Sequence, residues 1–282
     1  VMAPMTRSRA DSRAVPTGLM VEYYRQRAGA GLIVSEGTAP SRHGIGYCRT
    51  PGIYNEEQIG AWRRVTGAVH DSGGRIVVQL MHCGRICARL NKEATAETVA
   101  PSAVRAAVRL YTDAAGMQEC EMPRALTLAE IPGVIDEYAR AARNALAAGF
   151  DGAELHCTSG YLPMQFLASN ANLRGDAYGG TAANRARFVI ETLEALSGAI
   201  GADRVGLRIC PGNPFNDIED PNPAETYATL MRAVKPLKLA YLHLIHLSLP
   251  TVDGVALVRE IRPAPVMINE SLTLESAQQY VA

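Results

Sequence analysis

The 282-residue chain predicts an α/β fold: a (β/α)8 barrel of the TIM type, incomplete, as a single domain over residues 1–282. Three observations predict it. Short apolar runs alternate along the chain with segments whose apolar residues recur at three and four. Strand–helix alternation of this kind implies a parallel sheet with crossover helices. Seven such units can be read, and eight close a barrel. An open doubly wound sheet is the alternative, and it wants a glycine-rich turn after the first strand. The residues there are Pro4-Met5-Thr6-Arg7-Ser8.

Residues 1–4 read as the end of a first strand, and 19–27 as a helix. The second strand is 31–35, followed by a helix over 56–70 in which Ile59, Trp62, Val65 and Val69 share a face. The third strand is 75–80. Residues 87–126 are polar, contain Pro101 and show no sustained period; a connection this long is expected to cap the barrel mouth. Thr127 and Glu130 have the capping-box spacing, so a helix is expected to begin there, with Pro132 in a tight first turn or a slight kink. Ile135, Tyr138, Ala142 and Leu146 continue its face. The fourth strand is 151–155. The remaining pairs are a helix at 184–200 with strand 205–209, and a helix at 224–234 with strand 240–245. A short helix at 255–261, strand 265–268 and a helix from 274 complete the series.

Basic and acidic residues balance at 28 each, so no basic field invites nucleic acid or an anionic membrane. No apolar run approaches the roughly 18 residues of a membrane span. The six cysteines are irregularly spaced. Cys83 and Cys87, with His82 beside them, are a poor match to zinc-site spacing, and no metal is expected. Reduced thiols suit a cytoplasmic protein.

In a parallel barrel, polar residues at strand C-termini converge on one face. Read in order they are Thr6, Glu36, Gly37, Gln79, His82, His156, Arg208 and His243. Most are donors. The set suits a flat ligand with several carbonyls, and a reaction that builds negative charge on oxygen. Just past the fourth strand, His156-Cys157-Thr158-Ser159-Gly160-Tyr161-Leu162 adds a hydroxyl and a phenol. Cys157 points away by alternation, and Glu36 and His243 remain without a role. His82 and Arg85 are expected to brace the cap. Arg174, Asp176 and Arg185 are expected to form a salt-bridged loop and helix start.

Four stretches resemble one family in order and at the right strand ends. They are Val1-Met-Ala-Pro-Met-Thr-Arg-Ser-Arg-Ala10, Gln79-Leu-Met-His-Cys-Gly-Arg85, His156 through Phe166, and Asn172-Leu-Arg-Gly-Asp-Ala-Tyr-Gly-Gly180 with Asn184-Arg-Ala-Arg-Phe188. The chain resembles the old yellow enzymes, FMN-dependent ene-reductases on a (β/α)8 barrel. The resemblance implies hydride passing from NADPH (or NADH) through FMN to the β-carbon of an activated alkene: an enone, enal, maleimide or nitroalkene. It implies that Thr6 bonds flavin O4, that Gln79 holds the pyrimidine edge, and that Arg208 sits by N1 and O2. Pro4 and Gly37 would line the ring with backbone. His156 would donate to the substrate's oxygen, Tyr161 would protonate the α-carbon, and Phe215 would wall the substrate pocket. The implied partners are a small electrophilic alkene and, at most, a second copy of the chain.

The sequence departs from the family pattern in three ways. Ser159 stands where Asn or a second His is usual, which shortens one substrate donor. Met81 replaces an aromatic residue, softening a pocket wall. The N-terminal lid and the eighth strand–helix unit are expected to be missing, and the stretch 268–273 lacks a glycine usual at the phosphate site. Two further readings stand beside the ene-reductase. One is a dienoyl-thioester reductase whose C-terminal iron–sulfur region is missing, although Thr6 replaces that relative's usual cysteine. The other is a catalytically weak flavin-binding barrel.

Overall fold

The computed structural model describes residues 1–282 apart from Ser248, Pro250, Pro263, Ser271 and Ala282, and the backbone alone of Tyr280 and Val281. In chain order the first elements are α1 (Gly18–Arg25), β1 (Ile33–Thr38), α2 (Glu56–Asp71) and β2 (Ile76–Leu80). Four short strands follow: β3 (Val99–Ala100), β4 (Arg109–Thr112), β5 (Gly116–Glu119) and β6 (Arg124–Ala125). Then come α3 (Ile131–Ala147), β7 (Gly152–Cys157), α4 (Leu162–Leu167), α5 (Ala182–Ile200), β8 (Val205–Ile209) and α6 (Pro223–Val234). The last are β9 (Tyr241–Ile245), α7 (Gly254–Ile261), β10 (Val266–Asn269) and α8 (Leu274–Val281).

Six strands form one all-parallel sheet in the order β1-β2-β7-β8-β9-β10. The order follows the chain without reversal. A doubly wound sheet reverses at its switch point, so the sheet has barrel connectivity. The first expected strand survives as one parallel bridge, Met2 to Ile33, beside β1.

The sheet's two faces differ in kind. Val78, Leu80, Leu155, Cys157, Leu207, Ile209 and Leu244 join Trp62, Tyr138, Phe188, Leu230 and Met231 of the helices in one core. Fully burying one such leucine or phenylalanine contributes about 1.5–3 kcal/mol. Alternation turns the residues between them to the opposite face. There Val34, Val77 and Tyr241 make a small apolar plug, and the polar side chains of the site stand beyond it.

The helices begin where the chain supplies a cap. Asn55 accepts from Gln58 N–H at 2.9 Å, Thr181 from Asn184 N–H at 3.2 Å, and Asp253 from Val255 and Ala256 N–H at 3.0 and 2.9 Å. Asn55 and Thr181 each satisfy one, and Asp253 two, of the unpaired donors that every helix start carries.

Three expectations need correction. The Thr127–Glu130 pair does not start α3. Thr127 N–H and Oγ both donate to Glu130 Oε2, at 2.7 and 2.8 Å, closing a turn, and the helix proper starts at Ile131 with Pro132 in its first turn. Proline there lacks only an N–H that has no intrahelical partner. Residues 87–126 are not featureless: β4 and β5 form an antiparallel hairpin, and β3 pairs with β6. Strands of two to four residues are too short for alternation to register. The short α4, directly after Tyr161, was not expected. Of stretch 268–273, Ser271 lies outside the described residues, as does Ala282 in the last expected helix.

Arg174 ties the hairpin region down. It donates to Pro101 O at 2.9 Å and Leu126 O at 2.5 Å while paired with Asp176. Arg85, 1% exposed, donates to Asp217 O and lies 3.4 Å from the Asp217 carboxylate. That carboxylate accepts Ala107 N–H at 3.1 Å. Both clasps fall on residues expected to be structural.

Candidate active site

β7 carries the centre of the site. Period-two alternation puts Glu154 and His156 on one face, both buried. Gln79 lies in register with Gly37 and Glu154, and Arg208 with His156 and His243. Glu154 is the hub. Its Oε1 accepts Gln79 Nε2 at 2.7 Å, and its Oε2 meets His243 Nδ1 at 2.8 Å. A carboxylate at this distance only accepts. It therefore fixes the Gln79 amide, nitrogen toward Glu154 and carbonyl oxygen free to accept elsewhere. Arg208 donates to Asn269 Oδ1 at 3.4 Å. Burial lowers its pKa and the Glu154 charge pushes back; the guanidinium stays charged.

One turn along the chain the backbone corners sharply. Ser159 has φ 56° and Gly160 φ 76°. A Cβ on Gly160 would lie 2.7 Å from Asn216 Cβ, so only glycine fits there. Asn216 Nδ2 clasps the corner by donating to Ser159 O at 2.8 Å. The corner delivers Tyr161 as the N-cap of α4, with its ring centroid 5.0 Å from that of His156 at 51°. Its phenol donates to Tyr47 Oη at 3.2 Å, and Tyr47 Oη accepts Asn216 Nδ2 at 3.3 Å.

Both groups stay neutral. Burial, followed by the Arg208 and His243 charges, holds the His156 pKa well below that of free imidazole. Burial, followed by Tyr47, lifts Tyr161 well above an ordinary phenol. A neutral imidazole donates through one N–H, and a phenol with a raised pKa keeps its proton until a strong base asks for it.

The other expected residues are placed unevenly. Met81 is buried in one cluster with Tyr161, Leu110 and Cys120, and its Sδ would lie 2.5 Å from a Cβ on Gly37. Pro4 is half-buried and Thr6 exposed on the N-terminal segment beside β1. Phe215 is 57% exposed, a rim group rather than an enclosed wall; its carbonyl abuts Gly160. Cys157 faces the helix core, as alternation required.

Glu154, Tyr47, Asn216 and Asn269 were missed. Glu154 was readable: a carboxylate two residues before His156 in a strand must share its face. Tyr47 and Asn216 are joined to Tyr161 and to each other across 114 and 169 residues, and no local pattern announces that.

Buried polar atoms without partners test whether the residues suit a flavin. Among the described residues, Arg208 Nε and Nη1 and His156 Nδ1 have none, which is rare enough to need a reason. A buried cation with spare donors, beside an amide held with its oxygen free, fits the edge of a flat heteroaromatic ring with carbonyls and an N–H. FMN has such an edge. All six cysteines are free, and no group of three or more ligating side chains that could hold a metal occurs among the described residues. No described helix is long and apolar enough to cross a membrane.

Comparison with known proteins agrees with this chemistry. Residues 1–259 match the NADH:flavin oxidoreductase / NADH oxidase family. A probable flavin mononucleotide-dependent alkene reductase of Leishmania infantum is 45% identical over 227 residues, covering 79% of this chain and 62% of its own. The chain thus spans less than two thirds of that relative. The old yellow enzyme homologue of Zymomonas mobilis superposes with TM-score 0.92 at 37% identity, over 99% of this chain and 80% of its own. Morphinone reductase in complex with tetrahydroNAD superposes with TM-score 0.90 at 37% identity, over 99% and 78%. With the family matched across nearly the whole chain and solved relatives superposing over 99% of it, this protein belongs to the old yellow enzyme family of FMN oxidoreductases.

Proposed function

We propose that the chain is the catalytic barrel of an NAD(P)H-dependent ene-reductase acting on small alkenes activated by a carbonyl or nitro group. The observation that carries the reading is the pairing of His156 and Tyr161, two neutral proton-bearing groups side by side at a strand end. Gln79 and Arg208 would hold FMN by its pyrimidine edge, with Thr6, Pro4 and Gly37 along the ring. Bound FMN supplies the hydride, drawn from NADPH or NADH. His156 N–H then meets the substrate oxygen where negative charge collects, and one such donor is worth about 3 kcal/mol. Tyr161 gives its proton to the α-carbon, and Tyr47 and Asn216 keep its phenol oriented. Residues 87–126 cap the site, with Met81 and Phe215 on its wall and rim. Ser159 presents a shorter second donor than Asn would, which favours slower turnover or a shifted substrate range.

The test separates the two halves of the reaction. Purified protein is expected to carry a flavin band that NADPH bleaches and cyclohexenone restores. Tyr161→Phe should leave the bleaching rate unchanged and slow the restoration by about 10²–10⁴-fold. A protein without flavin, or a variant in which both halves slow together, sinks the reading.

A further inference from the structure

Glu36 is a buried carboxylate within β1, one residue before Gly37, with no part in the mechanism above. A carboxylate inside a protein must be met by donors or lose its charge. Two of its donors come from the segment and helix that precede it. Arg7 N–H donates to Oε2 at 3.1 Å, and Tyr24 Oη donates to Oε1 at 3.3 Å. Tyr24 Oη also accepts Glu36 N–H at 2.8 Å. Tyr24 is fully buried on α1 between Tyr23 and Trp62, so it is a fixed post. The carboxylate thus has one oxygen on the rigid wall and the other on an exposed segment.

That segment carries Pro4 and Thr6. Met2 is fastened to β1 through Leu32 O and Val34 N–H, and Ala10 N–H to Arg49 O. Between those points Thr6 is exposed, and the bond from its neighbour's N–H to Glu36 is the attachment nearest to it. The bond uses backbone, so the Arg7 side chain is left to lie over the Tyr23 ring at 5.1 Å.

We infer that Glu36 is a positioning residue: by accepting Arg7 N–H it fixes the backbone that presents Thr6 to the flavin, and so tunes the flavin through Thr6. The inference rests on the reading above that Thr6 meets the flavin. It carries a pH dependence. Burial pushes Glu36 up to about 7, opposed by the Arg7 N–H bond, by Tyr24, and by the Arg7 and Arg9 charges that face it. Protonation turns one accepting oxygen into a donor, so the latch changes near neutrality.

A double-mutant cycle tests it. The wild-type protein is first shown to hold FMN, and a wild type that holds none overturns both readings. Glu36→Ala is expected to weaken FMN binding on the order of tenfold, the loss of one hydrogen bond to a charged group. Thr6→Ala is expected to shift the flavin midpoint potential in the wild-type background and to shift it far less in Glu36→Ala, because the two act through one contact. Glu36→Gln keeps an acceptor and should restore the Thr6 effect. Fully additive shifts, or a Glu36→Gln protein as impaired as Glu36→Ala, overturn the inference. Should Glu36→Ala not fold, the Thr6→Ala shift is followed against pH. It should change around pH 7 in the wild-type background and stay flat with Glu36→Gln. An equal pH trend in both backgrounds removes the proposal.

Discussion

The floor and the mouth of the site are held by different physics. At the floor, Gln79, Glu154 and His243 form a chain with bonds of 2.7 and 2.8 Å, and all three are buried. At the mouth, Tyr161, Tyr47 and Asn216 meet through bonds of 3.2 and 3.3 Å, with Tyr47 partly open to solvent. The floor is built from strands, whose register leaves side chains little freedom. The mouth is built from loops that the strands bring together. In the proposed reading the floor meets the cofactor edge, which needs fixed electrostatics, and the mouth carries the proton donor, which needs reach and room for substrate. The contrast predicts that floor substitutions act first on stability and flavin binding, and mouth substitutions on turnover.

The sharpest way to break the comparison is at Glu154. Glu154→Leu keeps the volume but strands Gln79 Nε2 and His243 Nδ1 in a buried position. Each orphaned buried group costs about 1–3 kcal/mol, so a loss of about 4 kcal/mol in unfolding free energy is expected by urea titration, together with weaker FMN binding. A stable variant with normal flavin affinity would mean that the floor is not the rigid half.

The pH dependence of stability comes next in size, and it also divides by place. The native His156 refuses a proton that the unfolded chain accepts near 6.5, the ordinary value of an imidazole. The native state then binds fewer protons, and stability falls as pH drops below that value. His82, equally buried, has the same sign. Glu36 runs the other way: raised to about 7 from 4.5, it holds a proton that the unfolded chain has released, so its contribution declines as pH rises across that window. His156→Gln should therefore flatten the acid limb by up to about 1.4 kcal/mol per pH unit, read from urea midpoints at pH 5 to 6.5. An unchanged acid limb would show that His156 is protonated in the native protein.

Tyr47→Phe probes the mouth. It removes an acceptor from Tyr161 at a site water can reach, so a stability loss within about 1 kcal/mol is expected. Restoration of the flavin by cyclohexenone should slow several-fold while bleaching by NADPH does not. Equal slowing of both steps would place Tyr47 with the floor instead.

The same division explains what the sequence made legible. Strand alternation placed Gln79, His156 and Arg208 on one face of the sheet and turned Cys157 to the other, because period two in a parallel sheet leaves little choice. The same alternation puts Glu154 on that face, two residues before His156, but one carboxylate in an otherwise apolar run carries no signal of its own. The Thr127–Glu130 spacing misled because the same two side chains can close a turn as readily as cap a helix. Tyr47 and Asn216 stayed invisible because their positions follow from loop paths, which carry no period. The two-to-four-residue strands β3 to β6 were hidden for the same reason.

The smallest effect expected is at the corner between floor and mouth. Ser159 adopts φ 56°, a left-handed conformation that costs an ordinary residue about 1–2 kcal/mol and that asparagine visits more readily. Among the described residues only its carbonyl is clasped, by Asn216, so the side chain can change without disturbing that bond. Ser159→Asn should therefore stabilise the protein by up to about 1 kcal/mol by relieving backbone strain, and its longer amide should reach further toward the oxygen that the proposed reading sets beside His156. The two effects separate by measurement: urea midpoints report the corner, and the rate of flavin restoration by an enone reports the donor. A stability gain without a rate gain would make residue 159 a backbone device that only shapes the path from His156 to Tyr161. A rate gain would make it a second substrate donor, and the mouth would then have two hydrogen-bond donors on one oxygen, matching in number the two that the floor sets on Glu154.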